Sequence, residues 1–200
     1  MSEDRVSVAD LSIAEFLDAV ASRAVAPSAG AVTAVNGAAG AALCEMVAIH
    51  TSEPSASLSD ARDDLADARQ RLLALADDDA AAVDRVQTAF EAETRTDHPE
   101  AALRRATEVP LAIARTCCVV VEAAVPVAEE GTRNAAVDTV VGARLARAAL
   151  SSAATVVRAN LELLSDESFV ADARGDLDAA ETIADEALSD VRTATGIGAD

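Results

Sequence analysis

Asn134 and Asp138 stand four residues apart in a run of small and apolar residues, and Gly142 follows four further on. On a helix these three positions share a face. A carboxylate beside a glycine notch in such a run is either a satisfied core polar group or a group that gains and loses a proton in a reaction. For a lone acid the structural reading carries more weight. A second acidic signal is Asp77-Asp78-Asp79. Three consecutive acids in a helix cannot all face solvent from one side, so one of them must point inward or toward a cleft. A third signal is the loop Pro27-Ser28-Ala29-Gly30 ahead of an apolar helix. Free N–H groups at a helix start can hold a carbonyl or anionic group of a ligand, and an ordinary helix start has the same sequence.

Several other chemistries are disfavoured. His50 and His98 are the only histidines, far apart and without ligand spacing, so no metal site is expected. Cys44, Cys117 and Cys118 are odd in number, form no CxxC and lie in apolar runs. Such thiols behave as small buried hydrophobes, and free thiols fit a reducing cytoplasm. No GxGxxG, P-loop or GxSxG pattern is present.

The element that must position Asn134 and Asp138 is the proline-free stretch from Thr132 to Leu164. It reads as one long central helix of about 45 Å at about 1.5 Å per residue, enclosed by neighbours because nearly every face is small or apolar. Ahead of it, Ser12-Ile13-Ala14-Glu15 is a capping box that opens a short helix ending near Ser22. A narrow helix from about Ala31 to His50 carries Gly37, Gly40 and several alanines, so another helix can cross it at close range. A third helix opens at Ser59 or Asp60 and carries the three acids toward Phe90. A loop over Thr94 to His98 leads to a helix from Pro99 to about Glu130, with kinks or a break expected at Pro110 and Pro126. Ser165 and Asp166 end the long helix or cap the next, and a last helix covers about Asp176 to Val191. No strand signal rises above this pattern. The expectation is one all-α domain over residues 1–200, a helical bundle of about six helices, with 1–10 and 194–200 as loose tails.

The charge narrows the partners. Thirty-five acidic residues face 16 basic ones, for a net charge of −19, and every basic residue is arginine. An acidic surface without lysine suits a protein that works in high salt, where mutual repulsion is screened. Nucleic-acid binding is not expected, since phosphates would go unneutralised. The uncharged run from Ala24 to Cys44 contains Pro27, Ser28, Thr33, Asn36 and three glycines, so no membrane span is expected there. The acidic N-terminus lacks the positive region of a signal peptide.

The segments also form an ordered series. Phe16-Leu17-Asp18-Ala19-Val20-Ala21-Ser22 comes first, then Ala38-Ala39-Gly40-Ala41-Ala42-Leu43-Cys44-Glu45-Met46-Val47. Asp79 with Ala82 and Val86 follows, then Ala106-Thr107-Glu108-Val109-Pro110-Leu111, Asn134-Ala135-Ala136-Val137-Asp138, and finally Asn160 and Asp166. In order and spacing this series resembles the formiminotransferase–cyclodeaminase C-terminal family, which includes stand-alone methenyltetrahydrofolate cyclohydrolases, over roughly Leu11 to Val191. There are departures. The family's PGGGS loop is here Pro27-Ser28-Ala29-Gly30-Ala31, its LPK segment is missing, and Val137 and Val156 replace a serine and an asparagine.

The resemblance implies an all-helical homodimer acting on a tetrahydrofolate derivative, with no permanently bound cofactor and no metal. In one direction water attacks the methenyl carbon of 5,10-methenyltetrahydrofolate. In the other, 5-formimino-tetrahydrofolate closes its ring and releases ammonia. The chain carries no attached formiminotransferase domain, which leans toward the hydrolase. The resemblance makes Asp138 the acid–base group, and a buried carboxylate suits that work. Asn134 would orient the folate or the water, Asp79 is a second carboxylate, and the loop at Pro27 and Gly30 would offer backbone donors. Asn160 lies 22 residues and about 33 Å along the helix from Asp138, so it shares the site only if a neighbouring subunit supplies it, and is otherwise structural. Two functions stay open: a salt-adapted folate enzyme, or a catalytically degraded helical dimer that binds folate or a protein partner only.

Overall fold

Alanine and glycine set how closely the helices approach. Where α2 (Ala29–Ile49) crosses α5 (Ala136–Leu161), Gly40 faces Gly142. A Cβ on Gly40 would sit 2.6 Å from the Gly142 carbonyl oxygen, so the two backbones meet with no side chain between them. The computed structural model describes residues 6–91 and 98–198. The remaining helices are α1 (Ile13–Val20), α3 (Ala56–Glu91), α4 (His98–Glu130) and α6 (Glu167–Thr195), with 3-10 turns at Val8–Asp10 and Arg133–Ala135. No strand occurs among the described residues. α2 packs against α3 and α5, α4 against α3, α5 and α6, and the core runs through their shared interior. By length and composition, segments of α2, α4 and α5 could cross a bilayer. Here about half of each such segment is buried against the other helices, so the apolar content serves the core.

The expected elements are present with shifted boundaries, and the caps explain the shifts. The capping box forms, with Ser12 and Glu15 satisfying each other's N–H. α3 opens earlier than Ser59, because the Ser55 hydroxyl accepts the Leu58 N–H. α6 opens well before Asp176, because Asp166 accepts from the N–H groups of Ser168 and Phe169. It runs on to Thr195 and ends at Gly196, whose φ of 68° is open to a residue without a Cβ. α4 passes through Pro110 and Pro126 without a break. The 94–97 part of the expected loop lies outside the described residues, and His98 opens α4.

Both supposed tails are held where they are described. Asp77 accepts from the Ser7 hydroxyl at 2.6 Å and the Val8 N–H at 2.7 Å, which fixes the chain start on α3. At the other end Ile197 packs against the core. All three cysteines are free and buried.

Candidate functional site

α3 places a carboxylate inside the protein. Leu58, Ala61, Leu65, Ala68, Leu72 and Leu75 recur at alternating spacings of three and four and form its buried stripe. The next step of that stripe is Asp79, only 4% exposed. Asp77 and Asp78 turn outward, to Ser7 and Arg105 respectively. The three-acid argument therefore resolves onto Asp79.

The start of α2 meets this carboxylate. The Ala31 N–H donates to Asp79 Oδ2 at 3.0 Å, and the Ser28 hydroxyl also bonds to it. Gly30 lies so close that a Cβ there would overlap the carboxyl group. The loop thus spends the Ala31 donor on Asp79, not on a ligand. Burial pushes the Asp79 pKa above the ordinary carboxylate value, while the Ala31 and Ser28 hydrogen bonds pull it back down.

Around Asp79 opens a cavity of about 410 Å³, within the range of small-molecule sites. Val83, Val86, Leu103 and Val156 give it apolar walls, and Val25, Phe90 and Leu163, each more than half exposed, stand at its rim. Ser28, Gly30, Gln87 and Asn160 add polar groups, and Asp79 is the one ionisable group among the described lining residues. One carboxylate in an apolar chamber can pair with a flat cation or move a proton. Among the described residues no three His, Cys, Asp or Glu side chains converge.

The structure thus brings together three of the residues singled out from sequence, namely Gly30, Asp79 and Asn160. Pro27 is next to the lining residue Ser28 but does not itself line the cavity. Asn134 and Asp138 do not line it. Asn134 is exposed in the turn before α5 and Asp138 is half-buried in its first turn, so the enclosed acid is Asp79 and Asp138 is not buried as expected. Gly142 is taken up by the α2 crossing and forms no notch for Asp138. Sequence reasoning did not single out Gln87, or the bond from Ser28 to Asp79. The alternating three-four spacing ending at Asp79 was a readable signal that this acid faces inward.

Residues 12–179 match the profile of the formiminotransferase-cyclodeaminase family. The chain is 37% identical over 171 residues to the methenyltetrahydrofolate cyclohydrolase of Methylorubrum extorquens, covering 78% of this chain and 82% of that protein. It superposes on the crystal structure of formiminotetrahydrofolate cyclodeaminase from Thermotoga maritima with a TM-score of 0.88, at 30% identity, over 94% of this chain and 98% of the other.

Proposed function

Since the chain belongs to the formiminotransferase-cyclodeaminase family, we propose that it acts on the one-carbon unit bridging N5 and N10 of tetrahydrofolate, as a methenyltetrahydrofolate cyclohydrolase or a formiminotetrahydrofolate cyclodeaminase. The observation that carries this reading is Asp79, a single enclosed carboxylate in an apolar cavity. The methenyl bridge is an amidinium cation, and a lone carboxylate between apolar walls is complementary to it. In ring opening, Asp79 takes a proton from water as the oxygen bonds to the methenyl carbon. It returns that proton to N5 as the carbon–N5 bond breaks, leaving the formyl group on N10 and one proton released to solvent. Reversing the sense of proton transfer at nitrogen serves the deaminase direction, with ammonia as the leaving group. The folate is substrate throughout, and the scheme calls on no further cofactor.

Asn134 and Asp138 enter this reading through a second copy of the chain. Along α5 an exposed stripe runs through Val137, Val141, Ala148, Ser152, Thr155 and Ala159, interrupted by the exposed Arg144 and carrying no acid, on a protein of net charge −19. Such a face suits burial against its own copy. An antiparallel two-fold pairing centred near Ala148 sets Asn134 of one subunit beside Leu163 of the other, and Asp138 beside Ala159, next to Asn160. The partner subunit's Asp138 then lies at the mouth of the Asp79 cavity as its second acid, and the roughly 33 Å along one helix is no obstacle.

The test is loss of 5,10-methenyltetrahydrofolate absorbance, and ammonia release from 5-formimino-tetrahydrofolate, in molar KCl. Turnover above the spontaneous rate in either assay supports the reading. A folded protein inactive in both is a helical bundle that binds folate or a partner only.

A further inference from the structure

Pro110 lies inside α4 and has no N–H. In an α-helix that N–H would bond the carbonyl of residue 106, so Ala106 loses its helical donor. Asn160 of α5 supplies another: its Nδ2 donates to the Ala106 oxygen at 2.8 Å. A carbonyl oxygen can only accept, so the amide nitrogen of Asn160 is committed to α4, and the amide oxygen is thereby turned away from it. Asn160 and Ala106 both line the cavity of Asp79. Among the described residues no protein group donates to Asn160 Oδ1, and this oxygen is not among the polar atoms sealed in the core.

We propose that Pro110 and Asn160 together make a fixed acceptor in the cavity, one that selects a ligand ring carrying an N–H donor on the edge it turns toward α5. The proposal rests on the cavity being the folate site. Pro110 removes the competing donor, and this holds the asparagine in one of its two amide orientations. A freely turning asparagine would offer donor and acceptor alike and discriminate poorly. The rival account is that Asn160 only repairs the helix that Pro110 damages.

Pro110→Ala separates the two accounts. Alanine restores the N–H, the helical bond to Ala106 re-forms, and the Asn160 amide is released. If Asn160 only repairs the helix, this variant matches the wild type in KM. If it is the acceptor held by Pro110, KM for 5,10-methenyltetrahydrofolate rises about twofold, the entropic cost of choosing one of two amide orientations, with kcat little changed and Tm equal or higher. Asn160→Ala raises KM by about tenfold, the effect of one lost hydrogen bond, and lowers Tm, because it strands the Ala106 carbonyl. The double variant Pro110→Ala/Asn160→Ala recovers the Tm and not the KM. A wild-type KM in Pro110→Ala or in the double variant overturns the proposal while wild-type turnover keeps the folate reading intact. A wild-type chain that neither turns over nor binds 5,10-methenyltetrahydrofolate overturns both.

Discussion

Asp79 is held by opposed forces, burial favouring its protonated form and two hydrogen bonds favouring its charge, with burial the larger. An acid whose folded pKa lies above its unfolded one stabilises the fold most fully below the unfolded value, near about 4. That contribution is lost as pH rises through the folded value. Asparagine keeps the size of the side chain and does not titrate. The Tm of Asp79→Asn relative to wild type is therefore expected to climb from about pH 4 to pH 7. A gap that stays flat across that range would show that the carboxyl has no raised proton affinity. In the same variant kcat should fall by about 10²–10⁴, as for loss of a general acid–base group. At this scale the sequence was partly legible. The run of three acids required one inward carboxylate, and the buried stripe of α3 carries that position. What it hid was the meeting of Asp79 with Asn160. They lie 81 positions apart on separate helices, and only the packing of α3, α4 and α5 puts both on one cavity.

Among the elements, helix identity was legible because apolar periodicity and caps are local properties. Boundaries were less so, because Ser55 and Asp166 each begin a helix from within a polar stretch that also reads as a loop. The prolines of α4 show a different limit. Sequence alone gives the lost bond at Pro110 but not the amide on another helix that replaces it. The α2–α5 crossing is a stringent element-level test. Any side chain at Gly40 would meet the backbone of Gly142 and Ala146. Gly40→Val is expected to force the two helices apart and destabilise the protein by about 1–3 kcal/mol, as overpacking does. Urea melts would read this directly, and an unchanged midpoint would mean that the crossing yields freely.

For the whole molecule, charge gives one test and the proposed dimer another. With 35 acids against 16 arginines, surface repulsion opposes the folded state, and salt within a Debye length relieves it. Arginine–carboxylate pairs tie α6 to its neighbours, Arg147 to Asp185 and Arg158 to Glu181 among them. In each named pair one partner, Asp185 or Arg158, stands well out in solvent, so water screens the attraction and the pairs do not reverse the trend. Tm should rise from dilute to molar KCl, and a Tm independent of salt would refute the salt adaptation. Assembly has its own test. If Asp79 and Asp138 of one site come from different subunits, Asp79→Asn and Asp138→Asn preparations are each weak alone. Mixed and allowed to exchange, they should recover about a quarter of wild-type activity, since half the dimers then hold one intact site in two. No recovery after subunit exchange would place both acids in separate sites or remove Asp138 from the mechanism.

The buried thiols give this bundle internal timekeepers. Cys44 touches the place a Gly142 side chain would occupy, and Cys117 does the same beneath Gly37. Both are wholly enclosed, and burial pushes their pKa up to about 12. A thiol reagent reacts with thiolate, so neither sulfur is modified until its own seam parts. The modification rate of Cys44 then reads how often the α2–α5 seam breathes, and that of Cys117 how often α2 lifts from α4. Without an introduced label, the native chain reports the opening of these two seams separately.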